Sequence, residues 1–297
     1  MEVTDSPDRL RTACGAARSA GGVVGLVPTM GALHGGHARL LSQAREETSF
    51  PVLSIFVNPL QFDSAGDLDT YPRPLDQDLD VANQAGCALA FVPSETAVYP
   101  DGPPEVTVDP GPLGERLEGR SRPGHFRGVL TVVAKLFHLT GPARAYFGEK
   151  DAQQLALVRR MAADLDEPVT IVGCPTVREP DGLALSSRNA RLTRDQRRAV
   201  PVLFEALSDA AVRVRSGERS ADVLRAEMAR AIGAEPLAQL DYVAVVDDLS
   251  WENVIDIGGP SRALAAARFG ETRLIDNLLL PWPDARTVHN TNAQGGA

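Results

Sequence analysis

The sequence is poor in cysteine and contains no long apolar run. Its three cysteines, Cys14, Cys87 and Cys174, are far apart, so neither a disulfide framework nor a CxxC metal site is indicated. A membrane-spanning helix needs about 20 consecutive apolar residues, and the sequence has no such stretch. The first residues, MEVTDSPDRL, are charged and lack the apolar core of a secretory signal. We therefore expect a cytoplasmic protein that does not bind a membrane.

An excess of basic charge and the common nucleotide-binding motifs are also lacking. The net charge of -9 argues against general binding of nucleic acid, which requires a basic surface to displace phosphate counterions. The chain has neither a GxxxxGK[ST] P-loop nor a GxGxxG motif after a predicted strand. If a nucleotide binds here, another arrangement of residues must hold it.

The sequence does show an alternation of predicted strands and helices in its first 176 residues. The apolar runs GGVVGLV, PVLSIFV, CALAFV, ARAYF and VTIVG predict strands, and segments such as GVLTVVAKLFHL are apolar at helical spacing. Such alternation is typical of right-handed βαβ units and a parallel sheet. Ligands bind beyond the carboxyl ends of the strands in such sheets, so the polar segments that follow the strands are expected to share one rim.

The pattern changes near Val177. Thr193–Gln196, TRDQ, fits a capping box and predicts a helix that continues through Leu203 and Leu207. The runs LDYVAVV and RALAAARF predict short antiparallel strands, and TRLIDN follows them. These signals indicate a smaller α+β domain over residues 177–283. The polar tail, residues 284–297, is expected to be disordered.

Two of the five histidines, His34 and His37, lie three residues apart after the first apolar run. A metal site is one explanation, but no acidic residue separates the two, and His125 is only a distant third ligand. A helix start with solvent-facing imidazoles is a second. A phosphate site is the third, because glycines within residues 31–36 let backbone approach a ligand at a helix amino end. The spacing favours the phosphate site, since both rings share one face and either can carry a proton near neutral pH.

Several segments, in order along the chain, carry a resemblance to a known family. PTMGALHGGH is similar to the HxGH signature shared by nucleotidylyltransferases and class I aminoacyl-tRNA synthetases. With SIFVNPLQF, YPRPL, RPGHFRGV, FGEKDAQQLALVRRM and DGLALSSRN, it resembles the pantoate–β-alanine ligase family from Val27 through Leu192, and a weaker likeness continues to RLIDN. The resemblance implies a Rossmann-like nucleotidylyltransferase domain over residues 1–176, which binds ATP and pantoate, a lid domain over residues 177–283, and a homodimer.

The reaction that the resemblance implies is a ligation in two steps. ATP, with Mg²⁺, adenylates pantoate and releases pyrophosphate; β-alanine then attacks the acyl-adenylate and gives pantothenate and AMP. The step belongs to coenzyme A biosynthesis. The protein would align the pantoate carboxylate with the α-phosphate and stabilise the charge that grows on the phosphates.

The same resemblance implies which residues bind ATP. His37, described in the family as a proton donor, would lie with His34 near the phosphates, and Lys150 would contact a phosphate oxygen. The implied catalytic residues are His34, His37, Lys150, Ser186, Ser187 and Arg188. The implied ATP-binding residues are Met30, Gly31, Ala32, Leu33, His34, Gly35, Gly36, His37, Gly148, Glu149, Lys150, Asp151, Val177, Leu185, Ser186, Ser187 and Arg188. Taken alone, GEKD indicates a solvated turn and LSSRN a polar linker.

Gln61 and Gln154 are implied pantoate ligands, and Gln61 is also implied to contact β-alanine. A primary amide suits hydroxyls and a carboxylate because it offers both donors and an acceptor. Without the resemblance, both residues would be interpreted as ordinary surface glutamines.

Two positions depart from the family pattern. Gly35 replaces an acidic residue between the histidines, and Ala152 replaces an aromatic residue after GEKD. No Mg²⁺ ligand can be assigned among Asp67, Asp76 and Asp78. The metal is expected to be held mainly by the phosphates of ATP.

Two other functions stay open on the sequence. A nucleotidylyltransferase acting on another small acid or phosphate would be expected to lack the paired glutamines and SIFVNPLQF. A catalytically silent nucleotide sensor would be expected to have lost His37, Lys150 or Arg188, and all three are present.

Overall fold

The computed structural model describes residues 1–62 and 65–282. The tail expected to be disordered, residues 284–297, lies outside the described residues, as does residue 283. Across the two described ranges, no helix is both long and apolar enough to cross a membrane.

A six-stranded parallel sheet organises the first part of the described chain. Its strand order is β1-β4-β3-β2-β5-β6. The strands are β1 (Glu2–Thr4), β2 (Val24–Thr29), β3 (Phe50–Ile55), β4 (Leu89–Phe91), β5 (Ala143–Gly148) and β6 (Val169–Cys174). The five predicted strands are confirmed as β2 to β6, and β1 was not predicted. The order reverses between β2 and β5, the position at which ligands bind in open parallel sheets.

Helices connect the strands. In the described ranges the α-helices are α1 (Pro7–Ser19), α2 (Gly35–Glu47), α3 (Ala65–Asp69), α4 (Leu75–Gln84), α5 (Glu95–Val98), α6 (Glu118–Ser121), α7 (His125–Thr140), α8 (Ala152–Asp164), α9 (Arg194–Ala199), α10 (Val202–Arg215) and α11 (Ala221–Gly233). The predicted helices around residues 75–85 and 152–165 are confirmed as α4 and α8. The segment GVLTVVAKLFHL is confirmed as part of α7, which follows Gly124 at a φ of 82°.

Both faces of the parallel sheet are covered. Successive side chains of a strand point to opposite faces, so Leu26 of β2 packs with residues of α1, α7 and α8. Its neighbour Val27 packs with residues of α2 and α4 on the other face. The apolar strands are therefore buried between two helical layers, as parallel sheets require.

An antiparallel sheet follows in the second part of the chain. It has the order β7-β8-β9, with β7 (Gln239–Asp247), β8 (Ser261–Phe269) and β9 (Thr272–Leu279). Residues of α10 and α11 pack on it. The predicted antiparallel strands and α+β character are confirmed.

The capping box at Thr193 is confirmed, but the single helix predicted from it is wrong. The Thr193 Oγ1 accepts from the Gln196 N–H, and the Gln196 Oε1 accepts from the Thr193 N–H. The helix ends at Ala199, and α10 begins at Val202. Pro201 stands between them, and it has no N–H to continue the helical hydrogen bonds.

The chain divides into two compact units. The first comprises Met1–Val177 and Leu185–Ser187; the second comprises Arg178–Ala184 and the described residues from Arg188 onward. The chain therefore leaves the first unit for a short hairpin, returns for three residues and leaves again. The predicted roles of the two parts, substrate binding and lid, stay predictions.

Candidate active site

Three of the predicted site segments follow neighbouring strands of the parallel sheet. Residues 30–37 follow β2, residues 58–61 follow β3, and residues 149–151 follow β5. These strands are adjacent in the order β3-β2-β5, and parallel strands have their carboxyl ends at one edge. The fold therefore brings the three segments to the same rim.

His34 and His37 form a reciprocal cap at the amino end of α2. His34 is the N-cap residue, and its Nδ1 accepts a hydrogen bond from the Gly36 N–H at 3.1 Å. The Nδ1 of His37 accepts from the His34 N–H at 3.3 Å, and the ring centroids lie 4.1 Å apart. In the usual capping box, the N-cap residue is Ser or Thr and the residue three positions later is Glu or Gln; here two histidine rings accept the corresponding hydrogen bonds. Because both Nδ1 atoms accept, each neutral ring carries its proton on Nε2.

The surroundings of the pair favour neutral imidazoles. Burial, together with the neighbouring His34 and Lys150, lowers the pKa of His37 from 6.5 to about 3, and the Asp151 carboxylate opposes this shift. Burial and the Lys150 ammonium also lower the pKa of His34, again against Asp151. Both shifts favour the neutral form of the rings, because desolvation disfavours the charged form. The pair instead offers two neutral Nε2–H donors.

The GEKD segment lies within electrostatic reach of the histidine pair. Gly148 ends β5, and Glu149–Asp151 form a 3-10 turn that leads into α8. The Lys150 side chain is only 18% exposed, and its Nζ lies 3.4 Å from the neighbouring Asp151 carboxylate. These two charges act on both imidazoles. The structure thus groups the lysine with the histidines, rather than leaving GEKD as an isolated solvated turn.

Asp78 of α4 fixes the loop that precedes the histidines. Its Oδ2 accepts from the Ala32 N–H at 2.9 Å, and its Oδ1 accepts from the Leu33 N–H at 2.6 Å. Gly31 and Ala32 have φ values of 82° and 51°, a region that costs energy for a residue with a Cβ. Asp78 is 2% exposed, and burial raises its pKa despite the two backbone hydrogen bonds. A carboxylate considered on the sequence as a metal ligand is therefore engaged in holding this loop.

Gln61 is buried in a hydrogen-bond network. It lies in a 3-10 helix, Pro59–Gln61, and is 7% exposed. Its Nε2 donates to the Met30 Sδ at 2.9 Å, and its Oε1 accepts from the Asn58 Nδ2 at 3.1 Å. The Asn58 Oδ1 in turn accepts from the Tyr99 hydroxyl at 2.9 Å. Two predicted site residues, Met30 and Gln61, are therefore in direct contact.

Arg122 and His125 hold the backbone of Gln61. The Arg122 Nη2 donates to the Gln61 carbonyl at 3.1 Å, and the His125 Nδ1 lies 2.8 Å from the same oxygen. The His125 Nε2 lies 3.2 Å from the Arg122 Nη1, which can only donate, so His125 accepts there and donates through Nδ1.

Asn58, Tyr99 and Arg122 have no role that the sequence indicates, and His125 stands there only as a distant metal ligand. The motifs VNPLQF and RPGHFRGV contain three of these four residues. Motifs do not show which side chains will meet in the fold. The sequence therefore marked three of these residues through their motifs, but it did not show that they contact Gln61 or one another.

Two adjacent glutamines of α8 have different surroundings. The Gln153 Nε2 donates to the carbonyls of Leu113 and Arg116 at 2.8 and 2.9 Å, and its Oε1 accepts from the Glu118 N–H at 3.1 Å. Gln154, the predicted pantoate ligand, is half-buried in the first turn. In the part of the chain that the structure describes, no side-chain hydrogen bond occupies its amide. Gln153 therefore holds neighbouring backbone, whereas Gln154 has its amide available for a ligand.

The LSSRN segment begins beside the histidine cap. The Leu185 N–H donates to the Val177 carbonyl at 2.9 Å, and a Cβ added to Gly35 would lie 3.2 Å from the Leu185 Cδ1. Ser186 follows directly, and Ser187 begins a 3-10 helix. Leu185, Ser186 and Ser187 thus belong to the unit that contains the histidines. Arg188 belongs to the other unit, and its contact with phosphate stays a prediction.

No cluster of three or more His, Cys, Asp or Glu side chains suited to a metal ion occurs within residues 1–62 and 65–282. His125, the third ligand considered on the sequence, is bonded to Gln61. Asp76 is exposed on α4, and the side chain of Asp67 lies outside the described residues. The described donors therefore form no closed metal site.

A cavity of about 390 Å³ borders the same rim. Met30 and Gly31 line it next to the histidine loop, and Asp78 and Arg73 add charged groups. Its apolar wall includes Phe56, which follows β3. The cavity is large enough for a small organic acid, and Met30 in its wall also contacts Gln61.

Comparison with known proteins identifies the family. A family profile described as pantoate-beta-alanine ligase matches residues 2–279. The pantothenate synthetase of Rubrobacter xylanophilus is 50% identical over 283 residues, which cover 93% of this chain and 97% of that protein. The pantothenate synthetase of a Nocardioides species is 54% identical over 282 residues, which cover 92% and 83% of the two chains.

Solved structures agree. The crystal structure of pantothenate synthetase from Thermus thermophilus has a TM-score of 0.87 at 44% identity, covering 95% of this chain and all of that one. The pantoate-beta-alanine ligase of Francisella tularensis, complexed with beta-gamma ATP and beta-alanine, has a TM-score of 0.77 at 34% identity, covering 95% and 99%. The chain therefore belongs to the pantoate-beta-alanine ligase family.

Proposed function

We propose that this chain joins pantoate to β-alanine with ATP, through a pantoyl-adenylate, and releases pyrophosphate and AMP. This is the reaction of the family to which the chain belongs. The observation that carries the proposal is the histidine cap of α2, which lies beside Leu185 and within electrostatic reach of Lys150. Helix amino ends with exposed donors and a nearby cation are suited to polyphosphate.

ATP would bind along residues 30–37, 148–151 and 185–188, with Val177 beside the adenine. Lys150 would neutralise a phosphate oxygen, and Ser186, Ser187 and Arg188 would donate to the others. The Nε2–H groups of the two histidines would donate to the charge that develops when the carboxylate attacks the α-phosphate. A neutral ring that gave up its only proton would become an anion, so this geometry supports charge stabilisation rather than acid catalysis by His37.

Pantoate would lie near Met30, Gln61 and Gln154. The amide of Gln154 has no internal partner in the described chain, so binding pantoate there breaks no existing hydrogen bond. Gln61 is held by Asn58 and Met30, and a fixed amide orients a hydroxyl acid better than a mobile one. Gln61 would then also face the incoming β-alanine.

Mg²⁺ would enter with the nucleotide. It prefers oxygen ligands and usually binds through one or two carboxylates together with substrate phosphates, which fits a described donor set without a closed cluster. When bound, it neutralises phosphate charge. The phosphates of ATP would supply most of its ligands.

The second unit would act as a lid, and the chain would work as a homodimer in the cytoplasm. Closure over the nucleotide would exclude water from the acyl-adenylate. Light scattering at micromolar concentration should give the mass of a dimer, and a monomer would refute this part of the proposal.

Product analysis tests the function. The purified chain with ATP, Mg²⁺, pantoate and β-alanine should form pantothenate and AMP in equal amounts, and omission of either acid should abolish pantothenate. Formation of AMP with another acid, but not with pantoate, would point to a different ligase. ATP binding without any product would favour a nucleotide sensor.

A further inference from the structure

A short hairpin of the second unit immediately precedes the LSSRN segment. Arg178 and Ala184 pair as an antiparallel bridge, and the Glu179 N–H donates to the Leu183 carbonyl at 2.8 Å. Leu183 is buried in the core of the second unit. The hairpin is thus anchored in that unit one residue before the chain reaches Leu185.

Arg178 ties the hairpin to β9. Its Nη1 and Nη2 donate to the two carboxylate oxygens of Asp276 at 2.6 and 2.9 Å. The same guanidinium donates to the carbonyl of Gly182 at 2.9 Å and of Asn277 at 3.3 Å. The side chains of Arg178 and Asp276 are 17% and 4% exposed. A planar, four-fold donor of this kind fixes orientation as well as distance, which a lysine ammonium does not.

Phe204 of α10 packs against the face of the guanidinium. Its ring centroid lies 4.2 Å from the Arg178 Cζ, which is cation–π geometry. Gly182 has a φ of 90°, and a Cβ added there would lie 2.0 Å from the same ring. The hairpin therefore fits closely on Phe204, and only glycine allows the approach.

The network continues into the antiparallel sheet. The Asn277 Oδ1 accepts from the Arg262 Nη1 at 2.6 Å, and the Arg262 Nε donates to the Asp248 Oδ1 at 2.6 Å. Asp276 and Asn277 are the last two residues of the RLIDN motif, for which the sequence suggested no role. The Asn277 N–H also donates to the Asp276 Oδ1 at 2.7 Å, so the network reaches the carboxylate that pairs with Arg178.

The hairpin contacts the LSSRN segment at both of its ends, Leu185 and Asn189. Ala184, which pairs with Arg178, is bonded covalently to Leu185 and accepts through its carbonyl from the Asn189 Nδ2 at 3.1 Å. The residues between these two points include Ser186, Ser187 and Arg188. The hairpin therefore contacts the chain immediately before and immediately after these three residues.

We propose that Arg178 and Asp276 are positioning residues that set the place of the Ser186–Arg188 segment, and through it the affinity for the ATP phosphates. The inference rests on the proposed function. The buried pair, 98 residues apart in the sequence, would fix the hairpin from which this segment begins.

The test uses Arg178→Lys, which keeps the positive charge near Asp276 but loses the bidentate geometry. The control is Arg273→Lys. Arg273 lies on β9, as Asp276 does, and its Nε donates to the Asp241 Oδ2 of β7 at 2.8 Å. Arg178→Lys should raise the KM for ATP on the order of tenfold and leave the KM for pantoate within about twofold, while the control changes neither. Hydrogen exchange of residues 185–189 should speed up in Arg178→Lys alone.

Any of three results would overturn the inference: an unchanged KM for ATP in Arg178→Lys, equal changes in the KM values for ATP and pantoate, or the same effect on the KM for ATP in the control. If Arg178→Lys does not fold, Phe204→Leu decides by the same two measurements, since it removes the ring contact without leaving a charge unpaired. If the unaltered chain makes no pantothenate, the proposed function fails first. The hydrogen-exchange comparison still reports whether the pair holds the loop.

Discussion

An asparagine at position 37 should keep the cap of α2 and remove the outer donor of the histidine. The Nδ1 of His37, which accepts from the His34 N–H at 3.3 Å, corresponds in place to the Oδ1 of asparagine. The Nε2–H has no counterpart in asparagine, and alanine lacks both groups. Loss of such a cap costs about 1 kcal/mol, so His37→Ala should be less stable than His37→Asn by that amount.

Adenylation should respond differently from stability. Removing one preorganised donor to developing charge lowers a rate on the order of 10²-fold or more, so His37→Asn and His37→Ala should be similarly slow. His37→Gln carries an amide further from the backbone and should recover part of the rate. The contrast separates the structural role of the ring from its role in the reaction.

Urea unfolding and pantoate-dependent adenylation measure the two roles on the same proteins. A fall of less than about threefold in the His37→Asn rate would show that the Nε2–H is not used. Equal unfolding free energies for the asparagine and alanine variants would show that the reciprocal cap contributes nothing. Either result would refute the corresponding half of the reasoning.

Three further predictions follow from the site. Gln61→Ala should raise the KM for pantoate far more than that for ATP, and steady-state kinetics showing equal effects would reject the assignment. Asp78→Asn places an amide donor against one of the two backbone N–H groups that the carboxylate now accepts from. Urea unfolding should show a loss of about 1–3 kcal/mol in the free energy of unfolding, and steady-state kinetics should show a higher KM for ATP. Unchanged values would contradict the proposed support of the loop. The pKa of His37 is about 3 in the folded chain and 6.5 for an unperturbed imidazole. Between these pH values the imidazole binds a proton only in the unfolded chain, so the free energy of unfolding should fall as the pH drops through this range. The loss is about 1.4 kcal/mol per pH unit, and urea unfolding at several pH values should show a weaker dependence in His37→Asn; identical dependence would argue against the buried neutral ring.

Periodicity predicted the fold well where elements are long or apolar. The strands β2 to β6 and the helices α4, α7 and α8 have strong apolar patterns, and the rim follows from their alternation. The strand β1, Glu2–Thr4, has only three residues with exposed or half-exposed side chains, so no alternation marks it. Pro201 was visible in the sequence, but the helical spacing of apolar residues on both sides of it concealed the break.

The site was predictable as a set of motifs and not as a set of contacts. The spacing of His34 and His37 indicated a helix start, but their reciprocal hydrogen bonds depend on backbone geometry. The protonation of the pair depends on burial and on Lys150, which is distant in sequence. The partners of Gln61 and of Arg178 likewise come from segments that only the tertiary fold brings together.

Pyrophosphate exchange into ATP, measured with and without pantoate and with β-alanine omitted, tests the central claim most directly. Exchange that requires pantoate would demonstrate a reversible acyl-adenylate, the step in which the histidine cap is proposed to act. Absence of exchange, in a chain that still binds ATP, would contradict the proposed adenylation of pantoate.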